Sequence, residues 1–191
     1  TLTPKAIFVS AFTTAPLAAV PEFAFKDEIA YIQTGVNVLA KLTDGGVHFS
    51  LSSENYSGTP LHKIENVVSH VFSGKHPAGN VGVQISHIAP IMKGDTVWTV
   101  SLLLLSAIGK LFSTRKYDMR RKVAVTGPKA IDPAYVDALP GLSMKDLKDF
   151  YDNSANDLRF VSGDVLTGEN VGENGFLGFF DNQVTLLHEG T

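Results

Sequence analysis

Residues 74–90, GKHPAGNVGVQISHIAP, concentrate the residue types of this chain that could carry chemistry. The segment holds two histidines, three glycines and two prolines, and it lies between two apolar runs. Glycine-rich backbone can bind phosphate, histidine can bind a metal or donate to a carbonyl oxygen, and a prominent turn can contact a protein. The candidate ligand or interface contacts are Gly74, His76, Pro77, Gly79, Gly82 and His87.

The glycines of this segment do not form a known phosphate-binding motif. A dinucleotide fingerprint places G-x-G-x-x-G between a strand and a helix, so that backbone amides can approach a pyrophosphate. Here the spacing is G-x4-G-x2-G, and Asn80 and Val81 follow Gly79 where a P-loop requires Lys and Ser or Thr. The sequence therefore disfavours a nucleotide site in this segment.

The histidines do not predict a metal site. His70, His76 and His87 are separated by six and eleven residues, with no acidic residue between them. Zinc sites use histidine pairs at short, defined spacing or three converging ligands. Hydrogen-bonded histidines are the simpler interpretation, and we predict no metal.

No catalytic constellation is predicted either. The G-x-S-x-G motif of serine hydrolases does not occur. The carboxylates of Asp146, Asp149 and Asp152 recur every third residue among lysines, which is typical of a solvated helix face. We therefore predict no catalytic residue in this chain.

The geometry of the segment nevertheless suggests a contact. If a strand ends near Ser73 and a helix begins near Ala78, Pro77 occupies the first helical position, where proline is favoured. The free amides of the first turn would then point at a carbonyl or an anion above them. The simpler interpretation is that the glycines and prolines only let the chain turn.

The elements before this segment predict a βαβ unit. Residues 5–12 alternate as a strand does, and residues 13–23 contain two prolines and read as a loop. Apolar residues fall on one helical face over 26–42, and 47–52 is a second strand. A third strand is predicted near 67–73, after a helix or loop.

The elements after it predict one more helix and then a second domain. We interpret the apolar residues 97–112 as a buried helix and 113–122 as a basic linker. A strand at 122–127 pairs with 134–139 as a hairpin, and Ser143 begins a helix over 143–152 with Asp146 as a variant capping box. Three short strand-like segments follow, in LRFVSG, DVLTG and FLGFFDNQVTLLHE.

These elements indicate two domains. Residues 1–121 are predicted to form an α/β, Rossmann-like domain with a mainly parallel sheet. Residues 122–191 are predicted to form a small α+β domain of the β-grasp (ubiquitin-like) type.

Composition excludes several classes of function. A net charge of −3 and a pI near 6.0 provide no basic surface for nucleic acid. The absence of cysteine excludes thiolate nucleophiles and thiolate-ligated iron–sulfur clusters from this chain, and it agrees with a cytoplasmic location. The longest apolar run, residues 97–109, is shorter than the roughly 20 residues of a membrane span.

Four segments carry a resemblance to a known family. In this order, KAIFVSAFTTAPLAA, HVFSGKHPAGNVGVQISHIAPI, VWTVSLLLLSAIGKLF and KVAVTGP resemble the A subunit of the Na+-translocating NADH:ubiquinone reductase. The part around H-P-A-G-x-x-G is the most specific. Gln84 and Ser86 differ from the residues that the family usually carries in this segment, which include an additional His and Phe. The resemblance covers nearly the whole chain, and with no initiator Met the chain is expected to be a central fragment.

The resemblance implies an order of domains similar to the flavin-carrying, NADH-oxidising subunit of respiratory complex I and to a related Rnf subunit. The glycine-rich segment that holds FMN and NADH in the complex I relative has no counterpart here, which implies a lost nucleotide site. Residues 122–190 resemble the soluble-ligand-binding β-grasp class, often an interaction module. The family implies a peripheral position on the cytoplasmic face of the bacterial inner membrane, with NADH, flavins and an iron–sulfur centre on other subunits.

Three functions follow as hypotheses. The favoured one is a docking or scaffold module near the quinone-reducing end of the complex, with the other subunits, especially the membrane subunits, as partners. The alternative is a direct contribution to a ubiquinone pocket, in which the 74–90 turn presents His76 and backbone amides to a quinone carbonyl. A weaker alternative is flavin or nucleotide binding in the Rossmann-like domain. Whether the isolated fragment catalyses any reaction is left open, and no cofactor is expected to be bound by it.

Overall fold

The chain divides into two compact units. The computed structural model describes residues 3–54, 58–152, 154 and 157–190. Unit 1 consists of Thr1–Thr14 and Val20–Asp118, and unit 2 consists of Ala15–Ala19 and Met119–Thr191. Each unit has a sheet of its own.

Unit 1 contains a four-stranded parallel sheet. Its strands are β1 (Ile7–Ser10), β2 (Val47–Ser52), β3 (Val68–Phe72) and β4 (Trp98–Ser101), in the spatial order β3-β2-β1-β4. This order is half of a Rossmann-like sheet and confirms the predicted α/β class. The order of the strands reverses between β1 and β4, and in open α/β sheets ligands bind beyond the carboxyl ends of the strands at this reversal.

Four helices accompany this sheet among the described residues. They are α1 (Pro21–Ala24), α2 (Ile29–Leu39), α3 (Val81–Ile88) and α4 (Leu102–Thr114). Helices α2 and α4 pack closely on each other, because Gly109 has no side chain to collide with the Tyr31 carbonyl group. Helix α3 packs on the face of the sheet that carries Ala6 and Phe8, through Ile85. A 3₁₀-helix, Pro60–Lys63, precedes β3.

The structure corrects the interpretation of 97–112 as one helix. The first part of this apolar run is β4, which pairs in parallel with β1, and the helix begins only at Leu102. Ser101 separates the two elements, because its extended backbone ends the strand and its hydroxyl accepts a hydrogen bond from the Leu104 amide. Such N-capping is typical of serine. Helical and strand patterns overlap in a short apolar run, so the capping serine was the decisive signal.

Two other predicted boundaries change. The helix expected over 26–42 begins at Ile29, after a separate turn of helix that starts at Pro21 inside the predicted loop. The linker expected over 113–122 contains the end of α4, closed by Arg115 in the left-handed conformation at φ 59°. Arg121, its penultimate residue, is buried in the first strand of unit 2.

Unit 2 contains a five-stranded mixed sheet. Its strands are β5 (Arg121–Thr126), β6 (Ala134–Ala138), β7 (Leu158–Ser162), β8 (Glu169–Asn170) and β9 (Gln183–His188), in the spatial order β6-β5-β9-β7-β8. Strands β5 and β9 are parallel, and the other neighbours are antiparallel. The first and last strands thus lie side by side at the centre of the sheet, as in the predicted β-grasp fold.

The helix predicted over 143–152 is replaced by 3₁₀ turns over Met144–Phe150, with a kink at Leu147, where the backbone is non-helical (φ −94°, ψ 15°). The Ser143 hydroxyl caps it by accepting a hydrogen bond from the Lys145 amide. Met144 and Leu147 are both buried and belong to the core of unit 2 with Phe160, Val184 and other buried residues. Contacts with this core therefore hold the segment in its tighter turns.

Candidate functional site

The turn that contains His76 and Gly79 contacts the loop after β1. This turn follows β3, so both segments leave the carboxyl edge of the parallel sheet. The Gly79 amide donates to the Thr14 hydroxyl at 3.0 Å, and the same hydroxyl lies 3.3 Å from Nδ1 of His76. A Cβ at Gly79 would lie 2.5 Å from the Thr14 backbone nitrogen, so only glycine allows this close approach.

The two contacts of Thr14 allow the His76 ring to carry its proton on Nε2. A threonine hydroxyl has one proton and can accept as well as donate. Since Thr14 Oγ1 accepts from the Gly79 amide, its own proton is available for Nδ1 of His76. A neutral His76 that accepts at Nδ1 carries its proton on Nε2, and Nε2–H is a donor that suits a carbonyl oxygen.

The structure corrects the expected position of Pro77. Helix α3 begins at Val81, with Asn80 in the extended conformation before it, so Pro77 lies in the turn and not at the first helical position. The His76–Pro77 peptide bond is cis. Gly74 begins the turn at φ +122°, a conformation that favours glycine. The amides of the first helical turn are therefore those from Val81 onward, three residues later than expected.

A buried glutamine lies beneath this turn. Gln84 is 1% exposed, and its side-chain nitrogen donates to the Ala78 carbonyl oxygen at 3.3 Å. Its side-chain oxygen has no hydrogen-bond partner within the described part of the chain. Gln84 is one of the two residues that differ from the family's usual sequence. Here it supports the turn through its hydrogen bond to Ala78.

The remaining two predicted contacts lie on α3, beyond the turn. Gly82 and His87 are both exposed, and a Cβ at Gly82 would meet nothing within 4 Å. Nδ1 of His87 lies 2.9 Å from the Val83 carbonyl oxygen within the same helix. Among the described contacts, Thr14 joins His76 and Gly79. Gly74 lies close to Ala78 in the same turn. Gly82 and His87 instead lie on α3.

A row of stacked rings across the sheet was missed at the sequence level. Phe8 stacks on His48 at 4.8 Å between ring centroids, and His48 stacks on His70 at 5.1 Å. Nδ1 of His48 and Nε2 of His70 are 2.9 Å apart. Burial lowers the pKa of both histidines, and the neighbouring His70 lowers the pKa of His48 further. The signal was a histidine in each of two predicted neighbouring strands, which becomes informative only once their register is known.

A groove of about 440 Å³ opens beyond the carboxyl ends of β1 and β2. Its lining includes the Phe23 ring, the ammonium of Lys26 at 4.8 Å from that ring, and the carboxylates of Glu22 and Glu54. Two carboxylates against one ammonium disfavour the phosphates of a nucleotide. None of the six predicted contacts lines this groove.

Metal-ligand clusters and membrane-spanning helices are both absent from the described residues. Across residues 3–54, 58–152, 154 and 157–190, no three His, Cys, Asp or Glu side chains come together as metal ligands. Within the same residues, no helix combines the length and the apolar character that crossing a bilayer requires.

Two family models match the chain. The model described as "NqrA second alpha/beta domain" matches residues 1–117, and the model described as "NQRA C-terminal domain" matches residues 122–173. Together they match most of unit 1 and residues 122–173 of unit 2. The first alone covers more than half of the chain.

Curated relatives agree with these models. Proteins named as the A subunit of the Na(+)-translocating NADH-quinone reductase are 39% identical in Serratia proteamaculans and 36% identical in Rhodopirellula baltica, each over 98% of this chain. The Vibrio alginolyticus protein of the same name is 35% identical over 97% of this chain. The chain spans 41% of the length of each of these relatives.

A solved structure has the same fold. The NAD+-reducing NiFe-hydrogenase in the H2-reduced state matches with a TM-score of 0.62, over 95% of this chain and 40% of that chain. The sequence identity is 10%, so this likeness concerns the fold alone.

Proposed function

This chain belongs to the NqrA family, the A subunits of the Na+-translocating NADH-quinone reductases, and on this premise we propose that it is a docking and scaffold module of such a complex. Its place is peripheral, on the cytoplasmic face of the membrane near the quinone-reducing end. Its partners are the other subunits, especially the membrane subunits. NADH, flavins and the iron–sulfur centre are bound by those subunits.

The observation that supports this proposal is the contact between Gly79 and Thr14. In a Rossmann-like sheet, the pyrophosphate of a dinucleotide sits beyond the first strand, where glycine lets the backbone approach it. Residues 11–20, which follow β1 here, contain no glycine. The Gly79 amide donates to Thr14 in that loop. The chain's own turn thus uses the edge at which a related fold would bind its nucleotide.

A lesion of this turn tests the docking role. Gly79→Val places a branched side chain against the backbone of Thr13 and Thr14 and is expected to lift the turn from the sheet. In the complete subunit, this variant should be lost from the purified complex in parallel with the complex's activity. Gly82→Ala is the matched control, because a Cβ at Gly82 meets nothing within 4 Å. A Gly79→Val subunit that stays bound while turnover falls would contradict the scaffold role.

A quinone contact is the second candidate, and the contacts of Thr14 support it. The Nε2–H form of His76 offers a donor on an exposed turn. A hydrogen bond to a quinone carbonyl stabilises the charge that reduction places on that oxygen. Gly79 does not contribute its amide, because that amide already donates to Thr14.

Substitution of His76 separates the two candidates. His76→Ala should lower quinone reduction while the complex stays assembled, and His76→Gln should restore part of the rate because its side chain retains an N–H donor. His87→Ala is the control, since His87 is exposed on α3 and contacts its own helix. Unchanged turnover in an assembled His76→Ala complex would rule out the quinone contact and leave the scaffold role intact.

A further inference from the structure

Unit 2 exposes large apolar side chains on two adjoining loops. Val165 and Leu166, after β7, are 40% and 51% exposed, and Phe179 and Phe180, before β9, are 46% and 65% exposed. We name these four residues the phenylalanine patch. Single exposed apolar residues are common on proteins, but a contiguous group of them marks an interaction site.

The two loops leave the same end of the sheet. Strands β7 and β9 are antiparallel neighbours with Ser162 opposite Val184, so the loop after β7 lies beside the loop before β9. A Cβ at Gly163 would lie 3.7 Å from the Asp181 carboxylate, which confirms that the loops touch. The two loops that carry the patch are therefore neighbours at one end of the sheet.

Buried polar groups hold these loops in place. The Ser162 hydroxyl donates to the Asp181 carboxylate and accepts from the Gly178 amide at 2.8 Å. The guanidinium of the buried Arg121 donates to the Gly178 carbonyl oxygen at 3.0 Å. The Thr185 hydroxyl donates to the Gly163 carbonyl oxygen at 2.7 Å. These hydrogen bonds thus hold the loops that carry the exposed rings. Loops that are already ordered lose less conformational entropy when a partner binds.

The charges around the patch indicate the chemistry of its partner. Residues 160–183, which carry the patch, contain four carboxylates, those of Asp164, Glu169, Glu173 and Asp181, and no Lys or Arg. The Arg121 guanidinium, which donates to the Gly178 carbonyl oxygen, is buried beneath the patch and not part of its exposed surface. Asp164 and Asp181 are engaged by their own loops, whereas Glu169 and Glu173 are exposed, with Glu173 also hydrogen-bonded to the Tyr151 side chain. An anionic lipid surface would be repelled by this charge, and a basic protein segment would be attracted.

We propose that the phenylalanine patch docks a segment of another subunit in which Lys or Arg residues flank apolar side chains. The apolar side chains pack between Phe179, Phe180 and Leu166, and the cations face Glu169 and Glu173. This inference rests on the proposed docking function and assigns it a surface and a partner chemistry.

Photo-crosslinking in the assembled complex tests the proposal. A benzophenone side chain replaces Phe180 in the complete subunit, and the crosslinked peptides are mapped by mass spectrometry. The proposal requires a crosslink to a segment of another subunit that carries Lys or Arg beside apolar residues. Crosslinks to lipid, to the same polypeptide or to an acidic segment overturn it, as does a lack of crosslinks while the same probe at Ile131, 66% exposed in unit 2, reacts normally.

Variants of the patch give an independent measurement. Phe179→Ser with Phe180→Ser should reduce the subunit retained by the complex after a moderate-salt wash by about tenfold, and Ile131→Ser should not. Glu169→Lys should reduce retention by about threefold, whereas Asp44→Lys, the same charge change on an exposed residue of unit 1, should leave it unchanged. Circular dichroism of each variant confirms that it folds.

The outcomes separate this proposal from the docking function itself. If the phenylalanine variants are retained while Gly79→Val is released, docking stands and this surface is wrong. If neither change releases the subunit, the docking function fails as well. If Glu169→Lys increases retention, the partner is acidic and the assigned chemistry is wrong.

Discussion

Both units hold their loops with the same arrangement, a side-chain hydroxyl that accepts a hydrogen bond from a glycine amide. The loops held in this way differ in what they expose. In unit 1 the Thr14 hydroxyl accepts from the Gly79 amide and contacts His76, and in unit 2 the Ser162 hydroxyl accepts from the Gly178 amide and donates to Asp181. In unit 1 this bond holds a turn of the chain against the sheet edge that a Rossmann-like fold uses for its ligand. In unit 2 it holds two loops whose apolar side chains remain exposed.

The difference lies in which groups each bond leaves exposed. A nucleotide site needs free backbone amides, and in unit 1 the amide of Gly79 is satisfied by a side chain of the same unit. A protein-docking surface needs rigid apolar side chains, and in unit 2 the hydrogen bonds of Ser162 supply rigidity without covering Phe179 or Phe180. The polar hydrogen bonds beneath each surface therefore matter as much as the residues on it.

The largest effect is expected where α2 and α4 of unit 1 touch. Gly109→Ala places a methyl group against the Tyr31 carbonyl, so α4 must move from α2, at a cost of about 3 kcal/mol in the free energy of unfolding. Trp98 is the only tryptophan and lies in β4, so urea unfolding followed by its fluorescence reports on unit 1 alone. Gly82→Ala, which meets nothing within 4 Å, should change this value by only about 0.5 kcal/mol. Equal effects of the two substitutions would contradict the close helix contact.

The second-largest effect is expected at the hydrogen bonds of Ser162 in unit 2. Ser162 is buried, so Ser162→Ala removes two hydrogen bonds and leaves the Gly178 amide without its acceptor, at a cost of about 2 kcal/mol. Far-UV circular dichroism during urea unfolding should show this loss, and the Trp98 fluorescence transition should not move. Ser86→Ala, on the exposed face of α3, is the control. A shift of the Trp98 transition by Ser162→Ala would show that the two units do not unfold independently.

The hydrogen bonds of Thr14 in unit 1 should contribute less to the free energy of unfolding, because Thr14 and its partners Gly79 and His76 are more exposed. Thr14→Val keeps the shape of the side chain and removes the hydroxyl, which should cost about 1 kcal/mol. Nitrogen-15 NMR of the histidine rings should show that His76 loses its preference for the Nε2–H form. Thr14→Ser should preserve both the stability and the ring form. A wild-type ring with its proton on Nδ1 would contradict the contact inferred with Thr14.

The sequence predicted the elements of both units better than their contacts. β2 was predicted with its observed bounds, because strand-forming residues there are bounded by turn signals. The strand β4 was missed, because residues 97–112 are mostly apolar and satisfy a helical pattern as well. The 3₁₀ form of Met144–Phe150 depends on its core partners, which local propensity does not contain.

The candidate site was predictable only in part, because the residues that contact each other there are far apart in the sequence. The residues of the 74–79 turn were selected for their types, but Gly79 and Thr14 are 65 positions apart. Nothing local identifies Thr14 as the partner, because their contact depends on the order of the strands. The same holds for His48 and His70, whose pairing depends on the register of β2 and β3.

The smallest effect concerns that histidine pair and appears only as a dependence on pH. Both pKa values lie below the ordinary histidine value, so below about pH 6.5 the unfolded chain binds more protons than folded unit 1 does. The stability of unit 1 should therefore be full above this pH and decline as the pH falls through the lowered values.

Urea unfolding followed by Trp98 fluorescence between about pH 7.5 and about pH 5 measures this decline. The Asp95 carboxyl does not interfere, because the Lys5 ammonium lowers its pKa below the ordinary carboxyl range. His48→Gln with His70→Gln should flatten the slope, because the paired rings are its source. His87→Gln should leave the slope unchanged, since His87 lies exposed on α3. A double variant with the wild-type slope would assign the proton linkage to other groups and leave the ring pair a purely structural contact.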